Sequence, residues 1–361
     1  MKPRARDLGI PFKGKPGPFN AITDVEGVFV GHTTLISGSG KLVEGKGPVR
    51  TGVTAILPLG KKIGGVFAAW FSLNGCGEMT GTTWVEESGQ LLGPICLTNT
   101  FSVGDVFSAV IHWVVHEYDI PFGLPLVTET YDGRLNDIHG FHVKAGHVFN
   151  ALNTAASGFV AEGNVGGGTG MICHGFKGGI GTASRQLSEG EGDYTIGVLV
   201  QANYGERDNL TIAGIPVGEA LGSSLLDDSS SSGDDHSSII GIAATDCPLL
   251  PHQLKRLAKR VPLGMGIVGG RGGNSSGDIF LAFSTAPIGE RDAQGVSRVE
   301  MLANNRMDAL FDATVQATEE AILNALVAAE TMTGIDDYTV QALPHNETRE
   351  ILRQHGRLLE S

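Results

Sequence analysis

The alternation of short apolar runs with amphipathic stretches constrains the fold of this chain more than any other feature of its sequence. The apolar runs are typical of buried strands, and the stretches between them have the spacing of helices. Strands are predicted at 53–59, 65–73, 94–98, 124–128 and 194–201, and helices at 103–117 and 141–156. Because strands and helices interleave, we expect a layered α/β or α+β architecture.

The same alternation continues in the last third of the chain. The run Ser238–Ala244 predicts a short buried strand, a second strand is predicted at 279–283, and a helical segment at 252–260 lies between them. A longer helical pattern runs from Met307 to Leu326, and Gly334 is its expected C-terminal stop.

One strong break in composition, the serine-rich and acidic segment 225–237, precedes these strands. The strands after the break are apolar on both faces, so they need partners from earlier in the chain to cover them. The sequence therefore predicts one composite domain over residues 1–361, interrupted by a loop.

Charge and cysteine usage argue against several classes of protein. A net charge of −13 leaves no basic stripe for nucleic acid. The N-terminus lacks an apolar signal core and no run of 18 apolar residues exists, so we expect neither secretion nor a membrane span, and we predict a cytoplasmic protein. The cysteines are far apart and predict reduced, buried thiols rather than disulfides or a zinc site. They are Cys76, Cys96, Cys173 and Cys247.

Glycine is abundant, with 53 residues, and the run Glu162–Arg185 is especially rich in it. Such a run can free backbone N–H groups to cradle phosphates, but no G-x-x-x-x-G-K-[ST] motif is present. Tight turns and close packing are the favoured interpretation, with nucleotide binding as the alternative.

Histidines form two groups without a complete metal-binding pattern. His112 and His116 lie one helical turn apart, but the following glutamate does not give the H-E-x-x-H order. His139, His142 and His147 have no cysteine or carboxylate arrangement that specifies a metal. We expect no metal and no organic cofactor.

Polar residues beside the predicted strands are candidates for catalysis. Glu129, Tyr131 and Asp132 end one strand, and Ser276 and Asp278 lie on a glycine-lined loop before another. The serine and carboxylate of that loop fit either a hydrogen-bonded relay or an ordinary turn.

Ser238 stands where the polar segment meets an apolar strand. An internal serine of this kind becomes a nucleophile if the preceding bond is cut, because its own α-amine then acts as the base. The alternative from composition is a plain disordered linker.

Several long segments together resemble the DmpA-like aminopeptidases, which include the L-aminopeptidase/D-Ala-esterase/amidases and the β-peptidyl aminopeptidases. The resemblance covers nearly the whole chain. The segments are "RARDLGIPFKGKPGPFNAITDVEGVFVGHTTL", "ETYDGRLNDI", "GMICHGFKGGIGTASR", "VLVQANYG", "LTIAGIPVG", "SSIIGIAATDCPLLPHQLKRLAKR" and "SGDIFLAFSTA".

This resemblance implies a four-layer αββα sandwich, similar to N-terminal-nucleophile hydrolases and to ornithine acetyltransferase. It also implies a precursor that cuts itself before a serine, into a large chain 1–237 and a small chain 238–361, with 225–237 as the processing loop. The two chains are expected to stay together and to assemble into tetramers or larger rings.

Matched residue by residue, the resemblance makes Ser238 both the self-cleavage residue and the nucleophile. Ser276 is placed to bind the new amine and the nucleophile. Asp278 stands where the family pattern also allows a glutamate, so a shorter carboxylate has to reach further. The preceding Ser237 leaves the cut ambiguous by one residue, and the strand register favours Ser238.

Three further matches concern the substrate. Asn203 and Tyr131 correspond to residues that stabilise the oxyanion, and Glu129 corresponds to the carboxylate that holds the substrate's free ammonium. The predicted function is an aminopeptidase that releases small N-terminal residues from short peptides, amides or esters, with α or β and L or D preference open. The alternatives are an acyltransferase of the ornithine-acetyltransferase type, whose threonine nucleophile is absent here, and a non-catalytic small-molecule or nucleotide-binding protein.

Overall fold

Two β-sheets with helices on their outer faces form the structure, a computed structural model that describes residues 2–62, 64–118, 123–222, 237–289 and 292–359. The strands are β1 (Phe29–Ser37), β2 (Val49–Leu57), β3 (Gly65–Ser72), β4 (Gln90–Leu92), β5 (Ile95–Asn99), β6 (Leu126–Thr130), β7 (Ile172–Cys173), β8 (Phe176–Lys177), β9 (Gly179–Gln186), β10 (Thr195–Asn203), β11 (Ser238–Thr245), β12 (Ile279–Ser284), β13 (Met332–Thr333) and β14 (Thr339–Val340). The α-helices are α1 (Thr82–Ser88), α2 (Val103–Tyr118), α3 (Ala145–Thr154), α4 (Val217–Leu221), α5 (Pro251–Ala258), α6 (Val261–Ile267), α7 (Asp308–Ala328) and α8 (His345–Gln354).

The strand order places the late strands in the middle of the larger sheet. One sheet has the order β1-β2-β5-β6, and the other has the order β4-β3-β12-β11-β10-β9. β11 pairs antiparallel with β10 and parallel with β12, and β12 pairs antiparallel with β3. The strands after residue 237 thus take their partners from the earlier part of the chain, which confirms the expectation from their apolar faces.

Three apolar layers separate four layers of secondary structure. Phe280 and Leu323 belong to the layer between the six-stranded sheet and α5 to α7. Leu281 belongs to the layer between the two sheets, and Val53 and Val110 belong to the layer between the four-stranded sheet and helices α2 and α3. This is the αββα sandwich that the resemblance implied, and the predicted fold is confirmed.

The glycine-rich run is a packing element of this sandwich. A Cβ added to Gly181, on β9, would lie 1.9 Å from the carbonyl oxygen of Ala321 on α7. A Cβ on Gly170 would lie 2.8 Å from the Cβ of Asp132. Only glycine permits such close backbone approach, so the interpretation of the run as closely packed backbone is confirmed.

Some predicted boundaries are wrong, each for a local reason. The helix predicted at 141–156 begins only at Ala145, because Phe141 takes a left-handed backbone conformation with φ 47°. The long helix ends at Ala328, where Ala329 turns to an extended conformation, so Gly334 is not its stop. Instead Gly334 packs against the backbone of Leu135.

The cysteine expectation needs one correction. Cys96, Cys173 and Cys247 are buried free thiols, and burial raises the pKa of each to about 12. Cys76 is also a free thiol, but it is exposed because it lies in the loop after β3 rather than in the core. Among the described helices, none is both long and apolar enough to cross a bilayer.

Candidate active site

Ser238 is the first residue of β11 and lies opposite Asn203, the last residue of β10. It is buried, with 6% of its surface exposed. Its hydroxyl oxygen accepts a hydrogen bond from the backbone N–H of Gly277, at 3.0 Å. The hydroxyl is therefore held at the strand end by the loop that carries Gly277.

Ser276 and Asp278 form a hydrogen-bonded pair beside this hydroxyl. The Ser276 hydroxyl donates to Asp278 Oδ1 at 2.6 Å, and the backbone N–H of Ile239 donates to the same oxygen at 3.1 Å. The other oxygen, Oδ2, accepts from Asn74 Nδ2 at 2.9 Å. The short carboxylate of Asp278 thus reaches both Ser276 and the backbone next to Ser238. The structure therefore brings Ser238, Ser276 and Asp278 together.

The Asn203 side chain is fixed at the point where the two sheets meet. Its Oδ1 accepts from the backbone N–H of Ile172 at 2.8 Å, and its Nδ2 donates to the carbonyl oxygen of Tyr131 at 3.1 Å. Burial, and next the charge of Asp132, raise the pKa of the half-buried Tyr131 phenol. The phenol therefore stays protonated near neutral pH, and its oxygen lies over Gly133.

Glu129 lies inside β6, since the strand extends two residues beyond the predicted end. Its buried carboxylate accepts from the backbone N–H of Glu78 at 2.9 Å and from the hydroxyl of Thr100. Burial raises the pKa of this carboxyl. Among the described residues it accepts from these two neutral groups, and a buried carboxylate in such surroundings is suited to a cationic partner.

Asp132, next in sequence to Tyr131, belongs to the structural support of this loop. It is fully buried, and its Oδ1 accepts from Asn136 Nδ2 at 3.0 Å. Burial raises the pKa of its carboxyl to about 7, and hydrogen bonding offsets this only in part.

Sequence reasoning missed three contributors to the site: Asn74, Thr100 and the N–H of Gly277. Asn74 and Thr100 each follow a predicted strand, but a polar residue after a strand is too common to single out. Their importance depends on which strand ends are neighbours. The glycine of "SSGD" carries no side-chain signal at all, because its contribution is a backbone donor.

The processing loop lies almost wholly outside the described residues, which resume at Ser237. Ser237 is half-buried and directly precedes β11. The strand itself begins at Ser238, the residue that the strand register favours as the first residue after the cut.

The histidines occupy ordinary positions. His112 and His116 are exposed on α2 with parallel rings 6.1 Å apart, and His139 packs edge-on against Phe101. His142 contacts Asp137 at 2.9 Å, and His147 Nδ1 accepts from the backbone of Lys144. In the part of the chain that the structure describes, no three histidine, cysteine or acidic side chains are arranged to hold a metal ion.

Comparison with known proteins shows the family to which the chain belongs. The model of peptidase family S58 matches residues 20–340. A β-peptidyl aminopeptidase from Sphingosinicella microcystinivorans is 55% identical, over 99% of this chain and 93% of its own length. A second, from Sphingosinicella xenopeptidilytica, is 50% identical, over 97% of this chain and 91% of its own length.

Solved structures show the same similarity in three dimensions. The L-aminopeptidase D-Ala-esterase/amidase from Ochrobactrum anthropi, described as a prototype of serine aminopeptidases with a variant of the Ntn hydrolase fold, superposes with a TM-score of 0.91. It is 49% identical and covers 99% of this chain and 100% of its own. A β-aminopeptidase from Burkholderia sp. has a TM-score of 0.88 and 47% identity, covering 98% of this chain and 99% of its own.

Proposed function

The chain belongs to peptidase family S58 and is a serine aminopeptidase of the N-terminal-nucleophile type, and from that premise we propose that Ser238 is both its self-cleavage residue and its nucleophile. One observation carries the proposal. The Ser238 hydroxyl lies at the start of β11, held by Gly277, between the Ser276–Asp278 pair and Asn203. The large chain is then 1–237, the small chain is 238–361, and together they form one composite domain.

Self-cleavage starts when Ser238 Oγ attacks the carbonyl carbon of Ser237. The C–N bond breaks, the proton of the hydroxyl passes to the nitrogen, and the two residues are joined by an ester. Water then hydrolyses the ester, which leaves a carboxylate on Ser237 and a free α-amine on Ser238. That amine forms next to Ile239, whose own N–H already binds Asp278.

Turnover uses the same groups. The α-amine of Ser238 removes the proton from its hydroxyl, Oγ attacks the substrate carbonyl, and the developing oxyanion is stabilised by Asn203 and Tyr131. The α-ammonium gives its proton to the departing amine, and water then hydrolyses the acyl-enzyme. Each oxyanion donor of this kind typically contributes about 10²–10³ in rate.

Glu129 determines which end of a peptide enters. Its buried carboxylate has neutral donors on both oxygens and attracts the ammonium group of an N-terminal residue. The relatives that are 55% and 50% identical are named β-peptidyl aminopeptidases, and we propose that this chain too accepts N-terminal β-amino residues in short peptides and amides. Release rates for β-alanyl and L-alanyl p-nitroanilide test this, and an enzyme that releases L-alanine but not β-alanine would contradict it.

Denaturing intact-mass spectrometry, with N-terminal sequencing, tests the cleavage. Two pieces of roughly 25 and 13 kDa are expected, in proportion to chain length, and the smaller begins Ser-Ile-Ile. Ser238→Ala should stay whole and inactive, whereas Ser237→Ala should still be cut. A Ser238→Ala variant that is cut or active would remove Ser238 from the mechanism.

The comparisons do not favour the alternatives. The junction carries a serine rather than the threonine of the acyltransferases. Glycines of the glycine-rich run pack against backbone, as Gly181 does against Ala321 of α7, and this supports close packing rather than nucleotide binding.

Assembly into tetramers or larger rings and a cytoplasmic location remain part of the proposal. Light scattering on the cut protein would measure the assembly, and a mass equal to one pair of chains would contradict it.

A further inference from the structure

We propose that Asn74 is a positioning residue that fixes the Asp278 carboxylate for the amine relay. The inference rests on the proposed function, because the relay serves Ser238. Asn74 lies two residues after the end of β3, in the strand-end region next to the start of β12. Nothing in the sequence around it assigns it a role.

Both hydrogens of the Asn74 amide have an acceptor. Nδ2 lies 2.9 Å from Asp278 Oδ2 and 3.1 Å from the carbonyl oxygen of Gly273. An amide NH₂ group has two donor hydrogens, so it serves both acceptors at once. The Ser72 hydroxyl donates to the carbonyl oxygen of Asn74 at 2.7 Å and holds the backbone in place.

The contact with Oδ2 determines how the Asp278 carboxylate is rotated. Ser276 and Ile239 both donate to Oδ1, and Asn74 donates to Oδ2, so donors on both oxygens restrain the terminal torsion of the aspartate. That torsion is intrinsically broad. A donor on Oδ2 holds the second oxygen, so that Oδ1 keeps facing Ser276 and the backbone beside Ser238.

The contact with Gly273 holds the turn that carries the relay. The carbonyl oxygen of Gly273 also accepts from the backbone N–H of Ser276 at 3.1 Å. The next residue, Gly277, donates its N–H to the Ser238 hydroxyl. Asn74 therefore supports the carboxylate and the turn together.

The variants Asn74→Asp and Asn74→Ala distinguish a role in holding the Asp278 carboxylate from a role in filling space. Aspartate keeps the size of asparagine but turns both donors into acceptors that face Asp278 and Gly273. If only shape matters, Asn74→Asp is the milder change. If Asn74 positions Asp278, Asn74→Asp is at least as damaging as Asn74→Ala, and kcat falls roughly 10- to 100-fold, as expected for a lost hydrogen bond to a charged group.

A KM measurement and a matched control complete the experiment on the purified, cut protein. KM should stay within about twofold, since the ammonium site is untouched. Asn150→Asp, at an exposed asparagine on α3, is the matched control and should behave like wild type.

Two results would overturn the inference: kcat within about threefold of wild type in both variants, or an Asn74→Asp enzyme more active than Asn74→Ala. If Asn74→Asp melts early, Asn74→Ser replaces it, and its hydroxyl donor should recover part of the activity that Asn74→Ala loses. No recovery would count against positioning. Failure of the proposed function is recognised separately, by a Ser238→Ala variant that is still cut and active.

Discussion

Glu129 is buried near the end of β6. In the proposed mechanism its ionisation makes substrate binding depend on pH. In the part of the chain that the structure describes, its carboxylate accepts from two neutral donors, the backbone of Glu78 and the hydroxyl of Thr100. Burial raises its pKa above that of an ordinary glutamate. Binding of the substrate ammonium therefore requires a pH above that raised value and is lost as the pH falls through it.

The replacement Glu129→Gln tests this role. It should raise KM roughly 10- to 100-fold, because a charge-assisted contact is replaced by a neutral one. The increase in KM of the wild type towards acid pH should disappear in the variant. Steady-state kinetics across pH measure both effects, with Glu86→Gln as a control at an exposed glutamate that pairs with Lys255. An unchanged KM would show that the ammonium binds elsewhere.

At the scale of elements, the backbone of β9 packs closely against the backbone of α7. Gly181 allows the strand to touch the carbonyl of Ala321. The helix is also tied to the N-terminal segment, since Glu320 binds Arg6 through two hydrogen bonds and contacts Arg185 at 2.8 Å. Burial alone would raise the pKa of Glu320, but these two cations lower it, so it stays charged inside the protein.

Gly181→Ala should destabilise the protein by about 3 kcal/mol or more, because its methyl group meets backbone that cannot move aside. Gly146→Ala is the matched control, since a Cβ there meets nothing within 4 Å. It should equal or exceed the wild type in stability by up to about 1 kcal/mol, because Gly146 lies in α3 and alanine favours a helix more than glycine does. Denaturant unfolding measures the free energy of unfolding of both variants. Equal values would mean that α7 moves away from the added methyl group at no cost in stability.

At the scale of the whole molecule, the position of β11 and β12 determines whether the two pieces stay associated after self-cleavage. The two strands lie between β10 and β3, in the centre of the six-stranded sheet. A cut before Ser238 removes one covalent bond but none of these strand pairings. The two pieces then share one core, so they unfold together.

We therefore expect the large and small chains to elute together under native conditions and to separate only in denaturant. Calorimetry of the cut protein should show both chains unfolding in one transition. A small chain that is released by dilution alone would contradict this picture.

The sequence by itself determined those strands and helices whose burial produces an apolar pattern within one segment of the chain. An apolar run marks each of the strands β2, β5, β6, β10, β11 and β12, which are buried almost throughout, and also the partly buried β3. The helices α2 and α7 are marked by their periodicity. The layered class follows from their alternation. The family resemblance supplied the αββα arrangement and the candidate residues.

Only the tertiary structure decided the rest. β1 is partly exposed and β9 is rich in glycine and polar residues, so neither has an apolar run to mark it. Asn74 and Asp278 are 204 positions apart, and they meet because β3 and β12 pair antiparallel, which brings the end of one strand beside the start of the other. The partners of a carboxylate depend on such pairings between distant segments, and no local pattern contains them.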